Sequence, residues 1–352
     1  MSRDPDPWTL FGASGSESVE TAAAVAQFFD PSRLTQARVL AGLTKREVAE
    51  AVGVSPSAVG QYEAKVVIPR PETLLELSRA LNQDVAFFAA GRPYLRVDTG
   101  NAHFRSLRSM RAADRDRALA TAEQIWELTC ALEQHVQLPE ATLPSLLPGT
   151  SANEAAGETR RHWQLPRGPV RHLVSNLESH GVVVVLAQQT GHIDRVDAFS
   201  TVVGERPIII STPRRSGDVY RHRFTCAHEL GHLLLHRGRT SGDSTLEREA
   251  DEFAAEFLTP TSEMHSLLPH RMDLAQLDTI GRTWGVSIPS LIRRMSELRV
   301  VSDATVRRAH IRLNALSSLA PEQSVHGYTG ELSRMLKDAT QLADTIGVGL
   351  DE

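Results

Sequence analysis

The stretch Arg223-Phe-Thr-Cys-Ala-His-Glu-Leu-Gly-His-Leu-Leu-Leu-His236 decides how the chain reads. Within it, His228-Glu-Leu-Gly-His232 fits the pattern H-E-x-x-H. Two histidines four residues apart on an α-helix lie only ~40° apart around its axis, so both imidazoles can reach one ion. Glu229 lies on the flank of that face, where a carboxylate can accept a proton from water. Phe224, Ala227, Leu230, Leu234 and Leu235 supply an apolar side that would hold the helix against a sheet. Cys226 points to the far side and reads as core. His236 reads as a cap of the helix C-terminus, where a cation is favoured, since a fourth protein ligand would close a catalytic site.

A catalytic zinc site needs a third protein ligand and one open position. The next helical pattern, Glu247-Arg-Glu-Ala-Asp251-Glu-Phe-Ala-Ala-Glu-Phe-Leu-Thr-Pro260, offers one. Glu247 and Asp251 are also four apart and share a face. This suits Glu247 as a ligand and Asp251 as the acceptor of a ligating histidine's other N–H, which fixes its tautomer. Glu249 lies about 200° round that helix from Glu247 and reads as facing elsewhere. Tyr220, His222, His265 and His270 are all open candidates for stabilising an oxyanion.

Upstream, a helix over Val170–His180 ends at Gly181, which suits a left-handed C-cap. Val182–Leu186, Val196–Val203 and Pro207–Ser211 are β-branched, turn-bounded runs that predict strands. The pattern is helical from there to about residue 298. Leu274–Leu298 repeats a helix-turn-helix rhythm and reads as a packing element. Arg293, Arg294, Arg299, Arg307, Arg308 and Arg312 read as a solvated basic face. Leu138–Gly157, rich in proline and small polar residues, reads as a linker after a long helix over Asp114–Val136.

A second constellation lies near the start of the chain. Thr44-Lys-Arg-Glu47 is a capping box. Val48, Ala49 and Val52 share a face, and Gly53 stands where a tight turn wants φ > 0. Ser55-Pro56 is an N-cap followed by proline in the first turn. Val59 and Tyr62 continue the apolar stripe. Two short helices so joined make a helix-turn-helix, whose second helix enters the DNA major groove.

Both constellations resemble known families. Leu34-Thr-Gln-Ala-Arg38, the unit Leu43–Lys65 and the closing Pro69-Arg-Pro-Glu-Thr-Leu-Leu-Glu-Leu-Ser-Arg-Ala-Leu81 together resemble the Xre-type repressor domain over about residues 32–90. The resemblance implies that Pro56, Ser57, Ala58 and Gln61 approach base edges, that Lys45, Arg46 and Lys65 face phosphates, and that Ser55 belongs to the same DNA-binding set. Pro56 stands where the family often has a polar base reader, so readout leans on Ser57 and Gln61. The segment is only mildly basic, which implies modest, salt-sensitive affinity unless the protein dimerises. Residues 165–300 resemble the ImmA/IrrE family of metallopeptidases. That resemblance implies a zinc site of His228, His232 and Glu247, with Glu229 as general base and a transcriptional repressor as substrate. Manganese is the alternative metal. Asp251 stands where many relatives have asparagine, and Thr259 where methionine is usual.

Composition bounds these readings. With 352 residues, two or three domains are expected. Lys and Arg number 38 against 43 Asp and Glu, a net charge of −5, so DNA contact must come from a local patch. The two cysteines, Cys130 and Cys226, make no disulfide framework. No run approaches the ~18 apolar residues of a membrane helix. The opening MSRDPDPWTLFGASGSE lacks a secretion signal, so the expected compartment is the cytoplasm.

The expected fold class is α+β and mostly helical: an N-terminal all-α helix-turn-helix domain plus a zincin-like α/β metallopeptidase domain with a small sheet. The expected division is an extension over 1–31, the helix-turn-helix domain over 32–90, a helical connector and linker over 91–160, the peptidase domain over 161–300 and a helical tail over 301–352. The expected partners are a double-stranded DNA operator, a repressor substrate and a second copy of the chain, with the Asp114–Val136 helix as a dimer interface and no membrane. Three functions stay open: a regulator that cleaves a repressor in a stress response, a transcription factor whose peptidase-like domain is a non-hydrolytic sensor or interaction module, and a protein that cuts its own linker.

Overall fold

The computed structural model describes residues 18–92, 95–97, 102–104, 111–186, 198–211, 218–237, 243–317, 328 and 330–347. Most of the extension expected over 1–31, and the start of the strand expected at Val196, lie outside them. The chain forms two compact units. One holds Met1–Val97, Arg111–Val136 and Ala339–Glu352; the other holds Asp98–Met110 and Gln137–Asp338. The long helix expected in the connector therefore belongs with the N-terminal unit, and residues 137–160 belong with the second.

The first unit is all-helical: α1 (Val19–Gln27), α2 (Pro31–Ala41), α3 (Lys45–Val52), α4 (Pro56–Glu63), α5 (Pro71–Leu81) and α6 (Ala112–Glu133). Its caps follow from the sequence. Thr44 Oγ1 accepts from Glu47 N, and the Glu47 carboxylate accepts from Thr44 N at 2.7 Å. Gly53 ends α3 in the left-handed region at φ +71°, and Ser55 Oγ accepts from Ala58 N at 3.1 Å to start α4. Ala22, Leu34, Val48, Val59, Leu74, Leu77 and Phe88 form the core. The helix proposed as a dimer interface, α6, already buries Ala118, Ala122, Ile125 and Leu132 in the single chain, and it packs against α2. Arg33, fully buried on α2, pairs there with Glu127.

The second unit holds a four-stranded sheet of order β1-β3-β4-β2, formed by β1 (Ala102–Phe104), β2 (Val183–Leu186), β3 (Ala198–Val203) and β4 (Arg206–Ser211). Strands β3 and β4 make an antiparallel hairpin, β2 runs parallel to β4, and Ser200 pairs with Ile209. The three-residue β1, antiparallel to β3, carries no alternation that the sequence could have revealed. Helices α7 (Ala152–His162), α8 (Leu173–Ser179), α9 (Val219–Leu235), α10 (Ser244–Leu258), α11 (Thr261–Leu267), α12 (Leu274–Trp284), α13 (Ile288–Glu297) and α14 (Asp303–Ser317) complete it. The core joins Leu177, Val184, Ile209, Ala227, Leu230, Phe253, Phe257 and Leu291.

The linker reading of Leu138–Gly157 needs correcting at its end, because α7 begins at Ala152. Ser151 and Glu154 form a full capping box, and Ala155 and Ala156 are buried. The signal was present, but the prolines just upstream masked it. The α12–α13 pair has the predicted turn geometry, with Gly285 at φ +65° and Ser287 Oγ accepting from Ser290 N. The reading of its arginines as a solvated face fails for Arg294, which is 5% exposed, donates to the Thr259 carbonyl at 3.0 Å and pairs with Glu256.

Candidate metal centre and DNA-binding face

Helix α9 starts under an Asp218 cap, and its apolar side packs on β3 and β4. This buries His228, Glu229 and His232 almost completely. Helix α10 crosses close to α9 at Gly231, where an added Cβ would stand 3.1 Å from the Phe253 ring. That approach brings the carboxylates of α10 to the imidazoles of α9.

Glu247 Oε2 lies 3.5 Å from His228 Nε2, and Glu247 Oε1 lies 3.5 Å from His232 Nε2. The two Nε2 atoms are 3.1 Å apart. All three donor atoms lie within 4.8 Å of one another. Behind His228, Nδ1 is 2.9 Å from Asp251 Oδ1. An ionised carboxylate only accepts, so Nδ1 carries the proton and the Nε2 lone pair points at the other donors. Converging lone pairs of two imidazoles and one carboxylate suit a divalent cation, and the set matches zinc sites that keep an open position. Glu247 is the member nearest solvent, with its side chain 26% exposed.

Four residues around this cluster were not read from the sequence as functional. Ser200 Oγ on β3 donates to Glu229 Oε2 at 2.8 Å. His236, the C-cap of α9, is fully buried, and its Nδ1 lies 2.8 Å from His232 Nδ1. Its Nε2 lies 2.9 Å from Glu249 Oε2, so the carboxylate read as facing elsewhere closes on the histidine read as a cap. Arg293 of α13 donates to Asp251 Oδ2 at 3.3 Å. In that short helix Arg293 stands six residues after the Ser287 cap, the offset at which Gln61 follows Ser55 in α4. The same rhythm is here turned inward to the metal cluster.

The oxyanion candidates separate. His265 and His270 are exposed and His222 is fully buried, where burial pushes its pKa down to about 4. Tyr220 shares a hydrogen bond with Tyr328, their hydroxyls 3.2 Å apart. Cys226 is core, and burial pushes its thiol pKa up.

On the first unit, Pro56, Ser57, Gln61 and Lys65 are exposed along α4 and its end. Ser55 is exposed too, but its hydroxyl caps the helix. Lys45 is paired with Glu63 at 3.0 Å, and Arg46 with Glu50 at 3.6 Å. Both partners are local, and Arg46 remains 76% exposed, free to turn toward a phosphate.

A family model described as helix-turn-helix matches residues 34–88, and one described as IrrE N-terminal-like domain matches residues 177–296. The chain is a fusion of these two domains. Among curated proteins, none matches it. The first domain makes the fusion a DNA-binding regulator, and the second brings a peptidase-like module whose His/His/Glu cluster could hold a metal. Among the described residues, no helix is long and apolar enough to cross a membrane.

Proposed function

We propose that the protein is a cytoplasmic DNA-binding regulator whose second unit is a zinc-dependent endopeptidase that cleaves a repressor. The observation that carries this reading is the convergence of His228, His232 and Glu247 beside Glu229. Zinc bound there supplies Lewis-acid polarisation of the scissile carbonyl and acidifies a water. Glu229, steadied by Ser200, takes the proton of the attacking water and hands it to the leaving amine. Asp251 holds His228 with Nε2 toward the cluster. The two imidazoles favour zinc over manganese, which prefers oxygen donors. Pro56, Ser57, Gln61 and Lys65 offer an exposed face for an operator, and a second copy of the chain would supply the second half-site.

The near-complete burial of Glu229 favours one second reading, a metal-binding sensor that does not hydrolyse peptides. One experiment separates the two. Metal content is measured on the untagged protein, and cleavage is assayed on a repressor bound at the same promoter. Wild type should carry one zinc and cleave, while Glu229→Gln should keep zinc and lose cleavage. Equal cleavage by the variant removes Glu229 from the chemistry. Zinc without cleavage in wild type favours the sensor.

A further inference from the structure

We propose that His236 and Glu249 form a proton-ordering relay behind His232, making them positioning residues that act through it. The inference rests on the reading of His232 as a metal ligand, and it assigns roles to two residues outside the ligand set.

Glu249 Oε2 is 2.9 Å from His236 Nε2. A carboxylate accepts, so His236 carries its proton on Nε2. A neutral imidazole with Nε2–H has a lone pair on Nδ1. That Nδ1 lies 2.8 Å from His232 Nδ1, a distance that requires one proton between the two nitrogens. The proton therefore sits on His232 Nδ1. A cation held at the Nε2 atoms of His228 and His232, 3.1 Å apart, would then meet a lone pair from each, with Glu247 beside them. Each link forces the next, from a carboxylate on α10 to a ligand nitrogen on α9.

Burial makes the ordering strict. His232 is 1% exposed and His236 is not exposed at all, so water cannot substitute for a misplaced proton. The spacing explains why a relay is needed. His228, His232 and His236 climb one face of α9, with successive rings 4.7 and 5.0 Å apart. Asp251 reaches His228 directly, whereas behind His232 the carboxylate of Glu249 is met only through His236. Glu247, Glu249 and Asp251 thus divide three tasks along α10: one faces the ion position, and the other two hold the two imidazoles from behind.

The test uses full-length protein with 15N-labelled histidine, first metal-free and then titrated with zinc against a chelator. Long-range 1H–15N spectra of the zinc-loaded protein should show His236 as the Nε2–H tautomer and His232 protonated on Nδ1, with a scalar coupling between the two Nδ1 atoms. Glu249→Leu and His236→Phe should each weaken zinc binding ~10–100-fold, the usual cost of losing such a partner. Glu249→Gln, whose amide oxygen can still accept from His236, should restore most of that affinity. A proton on His236 Nδ1 in the zinc-loaded wild-type protein overturns the relay, as does unchanged zinc affinity in folded Glu249→Leu. The wild-type spectra decide even if a variant fails to fold. If zinc does not bind, the metal-centre reading fails and the relay with it, whereas zinc bound with His236 protonated on Nδ1 leaves that reading standing and overturns the relay alone.

Discussion

Ser200 and Glu229 meet across the boundary between sheet and helix: the serine on β3 donates to the buried carboxylate on α9 at 2.8 Å. The carboxylate proposed as proton acceptor is thus held from a neighbouring strand. Hydrogen bonds to charged groups contribute about 1.5–3 kcal/mol. Ser200→Ala should therefore lower the cleavage rate on the order of 10–100-fold, by the tenfold per ~1.4 kcal/mol relation. Ser200 holds no atom of the ligand set, so zinc affinity should stay unchanged. A paired measurement of kcat and zinc Kd checks both halves, and a loss of metal would place Ser200 elsewhere.

Asp251 stands between His228 and Arg293, and the two contacts should separate by mutation. Asp251→Ala removes the acceptor behind His228 and should weaken zinc binding about 10–100-fold. Arg293→Met removes the outer contact to Asp251 Oδ2 and the Arg293–Glu297 pair on its own helix, both made by a side chain that is 49% exposed. Its effect should stay below about tenfold, as for a partly solvated ion pair. Competition with a fluorescent chelator reads both.

Glu178 should give the second unit a pH dependence. Burial raises its pKa to about 7, although its carboxylate accepts from the backbone N–H groups of Arg334 and Met335. A carboxyl whose folded pKa lies above the usual value binds its proton more tightly in the folded state. Its contribution is then fully present below about pH 4.5 and is lost as pH rises through about 7. The loss amounts to about 3 kcal/mol at most. Urea midpoints followed from pH 4.5 to 8 should fall in wild type, and Glu178→Gln should flatten that fall.

The exposed residues of α4 should divide into base readers and phosphate contacts. Gln61→Ala should relax discrimination at one base pair by about 1–3 kcal/mol. Lys65→Ala should weaken binding evenly across sequences and reduce the salt slope by about one. Anisotropy titrations on a duplex selected from a random pool, at several salt concentrations, distinguish the two patterns.

Much of this protein was legible because its signals lie within one turn of chain. The capping box at Thr44 and Glu47, the left-handed glycines at Gly53 and Gly181, and the β-branched runs around Val184 and Ile209 all appear as read. Helix α7 shows the limit of local punctuation. Its cap at Ser151 was readable, yet what makes the segment a helix of the core is the face it lays on α10.

The sequence by itself determined that two histidines share a helical face and that a second helix carries carboxylates at matching spacing. It determined this because i and i+4 neighbours follow from helical geometry alone. Only the tertiary structure decided which acid answers which base. Glu249 reaches His236, Ser200 reaches Glu229, and Arg293 reaches Asp251 because separate elements pack at distances no periodicity encodes. Gly231 makes the first of these approaches possible, since the space its missing side chain leaves between α9 and α10 is filled by Phe253.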